Sequence, residues 1–164
     1  MAPPPPSGRL RPLDTSYRHI ACCIDRSEIS QGILDEAKRL RALTPGRLSI
    51  VHVSAWGILF GAYPGVAATD PEFIRQDSKR WFDEVVAANP GCEGVFLDGY
   101  PPAVVCEWAD GADVDLLVAS SSRGLVARVL LGSFAGYLAR HAPCSVLLTR
   151  PDVTQHGPGT FLRA

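Results

Sequence analysis

Five short apolar runs, each separated from the next by a segment with helical periodicity, most constrain how this chain can fold. The runs are rich in branched apolar residues and are flanked by turn residues, as expected for strands that are buried on both faces. They are HIACCI (19–24), LSIVHV (48–53), GVFL (94–97), DLLVA (115–119) and SVLLT (145–149). Because these runs alternate with helices, the pattern predicts an α/β fold with a doubly wound parallel sheet.

The segments between the runs carry signals for helices that would cover both faces of this sheet. Ser27 is expected to cap the first helix, and Asp70 the second. The Pro-Pro pair at 101–102 is expected to open the third helix and the Gly-Ser pair at 132–133 the fourth. The second helix would bury an apolar stripe formed by Phe73, Ile74, Trp81, Phe82, Val85 and Val86.

The two ends of the chain are expected to lie outside the folded domain. Residues 1–16 include a proline run and indicate a flexible arm, while a Gly-Pro-Gly sequence indicates a loose tail over residues 151–164. The domain is therefore expected to span residues 17–150. Within it, the glycine-rich apolar segment 55–69 is expected to be a loop over the core, a ligand crevice or a partner surface.

Composition argues for a globular protein and against several classes of partner. The 164 residues are 46% hydrophobic and carry a formal net charge of −1 without a basic cluster, so nucleic acid and anionic membranes have little electrostatic support. Neither a signal-peptide core nor a membrane-spanning run is evident, and the cysteines lack a C-x-x-C pattern. We therefore expect a cytoplasmic protein with reduced thiols, in which the adjacent Cys22 and Cys23 point to opposite faces of a strand.

Polar residues follow the first and fourth runs, where ligands of doubly wound sheets bind. Asp25 could accept hydrogen bonds from a ribose or satisfy the N–H groups of the next helix. Ser120–Arg123 and the helix start at Ser133 could hold a phosphate through hydroxyl groups, backbone N–H groups and the helix dipole, or could form an ordinary capped turn. His52, inside a strand, is interpreted as a satisfied core histidine rather than a metal ligand.

Sequence motifs of catalysis are absent. The chain contains no P-loop, nucleophile elbow, H-E-x-x-H or strand-anchored G-x-G-x-x-G sequence. A nucleotidyl-transferring enzyme of a related α/β fold is also disfavoured, because neither H-x-G-H nor S-G-G-x-D-S occurs. These observations favour a binding or sensing module over an enzyme.

Several stretches together resemble the universal stress protein family over residues 17–150. The opening YRHIACCIDRSEIS is similar to the family's first strand, acidic residue and helix, and IVHV is similar to its second strand. GYPP resembles the step into the third helix, and LLGSFAGYLARHAPCSVLLTRP is very close to the closing helix and strand. The resemblance implies a Rossmann-like sheet in the order 3-2-1-4-5, homodimerisation through the last strand (about 143–150) and, in one branch of the family, ATP binding.

In that branch ATP binds to a G-2x-G-9x-G-[ST] loop, which falls here on Ala119, Ser122, Gly132 and Ser133. The first two glycines are replaced. A methyl group at Ala119 would narrow the space beside the ribose, and a side chain at Ser122 would resist a positive φ at a cost of about 1–2 kcal/mol, roughly tenfold in affinity. By position, the resemblance assigns adenine and ribose contacts to Cys23, Asp25, Val53, Val118 and Ala119, and phosphate contacts to Ser122, Gly132, Ser133, Phe134 and Ala135.

Two hypotheses of different class follow from the residues and the resemblance together. In the first, the chain is a homodimeric stress-response protein that binds ATP weakly, with magnesium if ATP is bound, and without fast turnover. In the second, it is a nucleotide-free homodimeric module of the same fold, in which the segment 55–69 and the proline-rich arm engage protein partners. A change in melting temperature with ATP and magnesium would distinguish them.

Overall fold

In the computed structural model, which describes residues 17–54, 71–121 and 133–150, five parallel strands form one sheet. The strands lie in the order β3-β2-β1-β4-β5, so the predicted α/β fold and strand order are confirmed. The predicted arm 1–16, the loop 55–69 and the tail 151–164 lie outside the described residues. The strands are β1 (His19–Cys23), β2 (Arg47–Ser54), β3 (Glu93–Asp98), β4 (Leu116–Ser120) and β5 (Ser145–Thr149), and the helices described are α1 (Ile29–Ala42), α2 (Pro71–Ala87), α3 (Pro101–Gly111) and α4 (Ser133–His141).

Both faces of the sheet are buried, because side chains alternate along each strand and helices cover each face. Cys22 packs in the layer formed with α1 and α2, whereas Cys23 packs in the layer formed with α3 and α4, as predicted. The first layer buries Ile20, Ile33, Leu34, Leu48, Ile50, Phe82, Leu116 and Val118. The second buries Ala21, Val51, Val105, Ala109, Leu117, Ala119 and Leu138.

The turn into α1 differs from the prediction that Ser27 caps this helix. The helix begins at Ile29, and Glu28 occupies the cap position without a side-chain hydrogen bond. The backbone N–H of Ser27 donates to Oδ1 of Asp25 at 2.9 Å, and the Ser27 hydroxyl donates to the same oxygen. A carboxylate that accepts from the residue two positions later forms an Asx turn, so Asp25 rather than Ser27 organises the entry into α1.

The predicted apolar stripe of α2 is wrong at one residue. Phe82 is buried in the core, but Phe73 is 58% exposed. The two residues are separated by about two and a half helical turns and therefore project from opposite sides of α2.

Membrane insertion of a helix has no support in the regions that the structure describes. None of the helices there is long and apolar enough to cross a bilayer.

The turn before β2 brings the backbone close to the first residues of the domain. Arg47 donates its N–H to the carbonyl oxygen of Arg18 at 2.9 Å. A Cβ atom on Gly46 would lie 2.2 Å from the carbonyl oxygen of Tyr17, too close for any side chain. A residue larger than glycine must therefore displace the backbone here.

We predict that Gly46→Ala lowers the free energy of unfolding by about 1–3 kcal/mol, because the methyl group forces a backbone shift. Urea denaturation of the two proteins measures this difference. Gly111→Ala is the matched control, since no atom lies within 4 Å of a Cβ added there, at the end of α3. It should raise stability by about 0.5–1 kcal/mol, and equal effects of the two substitutions would contradict the steric argument.

Candidate functional site

A cleft of about 370 Å³ opens at the carboxyl ends of β1, β2 and β4. The order of the strands reverses between β1 and β4, which is where doubly wound sheets bind their ligands. The cleft is also bounded by the first turns of α1, α3 and α4. Its volume lies within the range of about 300–1,000 Å³ that is usual for small-molecule sites.

Most of the residues assigned by the sequence resemblance lie together in this cleft. Val53 enters it from β2, and Ser120, at the polar end of β4, also lines it. The assigned residues that line the cleft are Cys23, Asp25, Val53, Ser133, Phe134 and Ala135. The ends of strands distant in sequence therefore form one wall.

Two assigned residues, Val118 and Ala119, are not among the described residues that line the cleft. Val118 and Ala119 are fully buried in the core, on opposite faces of β4, so the methyl group of Ala119 packs among core side chains. Ser122 and Gly132 lie outside the described residues. The effect expected from replacing the first two glycines of the loop motif stays a prediction.

Asp25 serves the local fold and the cleft at once. Its Oδ1 accepts hydrogen bonds from the Ser27 N–H at 2.9 Å and from the Ser30 hydroxyl at 3.0 Å. Its backbone N–H donates to Oγ of Ser30 at 2.9 Å. The carboxylate is thus held in a fixed orientation at the wall of the cleft, and a hydrogen bond from it to a ribose stays a prediction.

The start of α4 faces the cleft. Ser133 is its first residue, is exposed and lines the cleft. The first N–H groups of a helix have no partners within the helix, and the helix dipole places partial positive charge there. This end of the cleft therefore suits an anionic group such as a phosphate.

The cleft also has an apolar wall, and sequence reasoning identified only part of it. This wall includes Val51 and Val53 of β2 and Pro102 and Val105 of α3. The prediction that a proline opens α3 is confirmed, but its place in the cleft wall was not anticipated. The GYPP sequence could have indicated this place. Its prolines start a helix directly after β3, and such a helix begins at the carboxyl edge of the sheet, where the cleft lies.

Cys23 and His52 both line the cleft without the properties of catalytic groups. Burial, together with neighbouring Cys106 and Cys144, raises the pKa of the Cys23 thiol to about 12. His52 contacts the carbonyl oxygen of Ile24 through Nδ1 at 3.1 Å and the hydroxyl of Ser78 through Nε2 at 2.9 Å. Because a carbonyl only accepts, Nδ1 carries the proton and Nε2 accepts from Ser78, as expected for a satisfied core histidine.

A metal site has no support among the residues described. Across residues 17–54, 71–121 and 133–150, no group of three or more His, Cys, Asp and Glu side chains could hold an ion.

We predict that acidification destabilises the protein through His52. Burial holds the pKa of this side chain below its ordinary value of 6.5 in the folded state. Below that pH the unfolded chain binds more protons than the folded one, so the free energy of unfolding falls as the pH decreases. Urea denaturation between pH 8 and pH 5 should show a shallower pH dependence for His52→Gln than for the unmodified chain, and identical slopes would contradict this assignment.

Known proteins resemble this chain both in sequence and in structure. A putative universal stress protein from Staphylococcus epidermidis is 29% identical over 149 residues, which cover 84% of this chain and 86% of that protein. A universal stress protein solved in complex with cAMP has a TM-score of 0.56 at 23% identity, covering 84% of this chain and 99% of that one. An Arabidopsis thaliana protein of the same family, solved with AMP bound, has a TM-score of 0.57 at 18% identity, covering 87% and 97%.

The two solved structures support the fold alone, whereas the family is established by the match of the sequence to the family model. The model of the universal stress protein family matches residues 16–150, which include every described strand and helix. This range agrees with the resemblance found in the sequence. The chain therefore belongs to the universal stress protein family.

Proposed function

We propose that this chain is a stress-response protein that binds adenine nucleotides in the cleft at the carboxyl ends of β1, β2 and β4, without fast catalysis. The observation that carries the proposal is the combination of an apolar wall, a fixed carboxylate and a helix N-terminus around one cleft. A nucleotide has matching parts, namely a planar base, a ribose with hydroxyl groups and a phosphate.

Each part of the nucleotide has a counterpart in the chain. The base fits the apolar wall that includes Val53 and Val105, and Asp25 can accept a hydrogen bond from a ribose hydroxyl. The N-terminus of α4, with the Ser133 hydroxyl, suits the phosphate. The structures of family members with cAMP and with AMP support this class of ligand. ATP, with magnesium, is the triphosphate member of the class that we expect to bind weakly.

The chemistry of the cleft supports binding rather than turnover. With a pKa of about 12, the Cys23 thiol is protonated near neutral pH and is a poor nucleophile. Both ring nitrogens of His52 are engaged in hydrogen bonds, and burial lowers its pKa. Neither residue is therefore poised to act as a nucleophile or a general base on a bound nucleotide.

We further propose that two copies of the chain associate through β5. The support for this proposal comes from the edge of the sheet and not from the cleft. Within residues 17–54, 71–121 and 133–150, β5 pairs only with β4 and so forms an edge of the described sheet. Val146, Leu147 and Leu148 are only partly buried, whereas Leu116, Leu117 and Val118 on the adjacent strand are fully buried. An apolar edge strand tends to be paired or covered, and pairing with a second copy would do both.

We predict that calorimetric titration of the nucleotide-stripped protein shows saturable binding of AMP, and weaker binding of ATP with magnesium. A double variant, Asp25→Ala with Ser133→Ala, should lose at least about tenfold in AMP affinity, because it removes a ribose acceptor and a phosphate donor.

The matched control for this titration is Ser27→Ala. Ser27 donates to the same Asp25 oxygen but is not among the residues that line the cleft, so its loss loosens the turn without removing a ligand contact. Its affinity should stay within about twofold of the unmodified chain. No heat up to millimolar nucleotide, from a protein shown to be folded, would overturn the nucleotide proposal and favour the nucleotide-free dimeric module.

For the dimer, we predict that sedimentation velocity gives the mass of two chains at micromolar concentration. Leu148→Lys places a charge on the partly buried edge strand and should shift the sample towards the monomer. Lysine in place of Leu43, which is 82% exposed at the end of α1, is the control and should leave the dimer intact. A monomer at all concentrations would contradict the proposal.

A further inference from the structure

One aromatic side chain at the mouth of the cleft stands apart from the buried wall behind it. Tyr100 lines the cleft, yet it is 49% exposed. The adjoining residues of the wall, Pro102 and Val105, are buried. The tyrosine therefore extends the apolar wall outwards to the solvent.

The backbone holds Tyr100 in this place. The residue before it, Gly99, has a φ of +131°, which disfavours any other residue, and its N–H donates to the carbonyl oxygen of Ser54 at 3.0 Å. The carbonyl oxygen of Tyr100 accepts hydrogen bonds from the N–H groups of Ala103 and Val104, each at 3.1 Å. These hydrogen bonds tie the turn to the end of β2 and to the first turn of α3, and so fix the position of the Tyr100 backbone.

The ring of Tyr100 is also positioned by α4. It makes an edge-to-face contact with Tyr137, with ring centroids 6.3 Å apart and an interplanar angle of 86°. Tyr137 in turn lies 4.4 Å from the His141 ring. The Tyr100 ring is therefore supported by α4, while the residue lines the cleft and remains about half exposed.

We propose that Tyr100 is a specificity-determining residue whose ring contacts the base of the bound nucleotide. This inference rests on the nucleotide-binding function proposed above. It goes further by naming the base as the part of the ligand that the chain recognises most strongly. A half-exposed aromatic ring gains both hydrophobic burial and stacking when a planar ring covers it. The base then contributes a large share of the affinity, so that a sugar phosphate without a base binds poorly, while AMP keeps over adenosine the advantage that the phosphate site at the start of α4 gives.

The test compares AMP, adenosine and ribose 5-phosphate by calorimetric titration against the unmodified full chain and single variants. Tyr100→Ala should weaken AMP and adenosine binding by about tenfold or more and leave ribose 5-phosphate binding unchanged. Tyr100→Phe keeps the ring and should stay within about twofold for all of these compounds. Phe73→Ala is the matched control, since Phe73 is an exposed aromatic residue of α2, 58% exposed, that does not line the cleft.

The outcomes separate this inference from the proposed function. If AMP binds the unmodified chain and Tyr100→Ala binds it equally well, the role of Tyr100 is wrong and the proposed function stands. If Tyr100→Ala weakens AMP and ribose 5-phosphate equally, the residue only supports the fold of the cleft, and the specificity role is again overturned. If the folded, unmodified chain binds neither AMP nor adenosine, both proposals fail. Melting temperatures of all variants show that each protein is folded.

Discussion

Burial of the sheet on both faces is the constraint on which the rest of this structure depends. Strands with helices on each side must be apolar almost throughout, so polar side chains concentrate where the strands end. In this chain the polar residues Asp25 and Ser120 come just after β1 and at the end of β4. Since all strands are parallel, these ends meet at one edge of the sheet, and polar side chains gather there in a cleft whose other lining is apolar.

The same residues that build the fold also shape the cleft. Asp25 closes the turn into α1 and presents its carboxylate to the cleft. His52 ties β2 to the carbonyl of Ile24 after β1 and to Ser78 of α2. A ligand in the cleft would thus touch side chains whose orientation is set by the fold before binding, which lowers the conformational entropy lost on association.

Much of the fold follows from the sequence because its signals are local and periodic. Apolar runs predicted every strand to within one residue at either end, and prolines marked the starts of α2 and α3. Errors arose where two local signals compete. Ser27 is a residue type that often caps helices, but its hydroxyl donates to the carboxylate of Asp25 instead. Phe73 is apolar, but it lies on the side of α2 that faces away from the core.

The candidate site was harder to predict, because its walls combine residues that are distant in sequence. Resemblance to the family placed Cys23, Val53 and Ser133 in the cleft, but Val118 and Ala119 face the core because the alternation along β4 decides where their side chains point. No local pattern distinguishes Tyr100 from any other exposed tyrosine. Its place depends on the register between β2 and β3, which brings Asp98 beside Ser54 and so starts the next helix at the cleft.

The protonated thiol of Cys23 has a consequence for a protein of this family under oxidising conditions. Hydrogen peroxide reacts with thiolates and hardly at all with thiols. Because burial raises the pKa of the Cys23 thiol well above neutral pH, this side chain stays protonated at pH 7. Cys23 is therefore expected to resist sulfenic acid formation under conditions that oxidise more acidic thiols, which leaves this part of the cleft wall chemically unchanged.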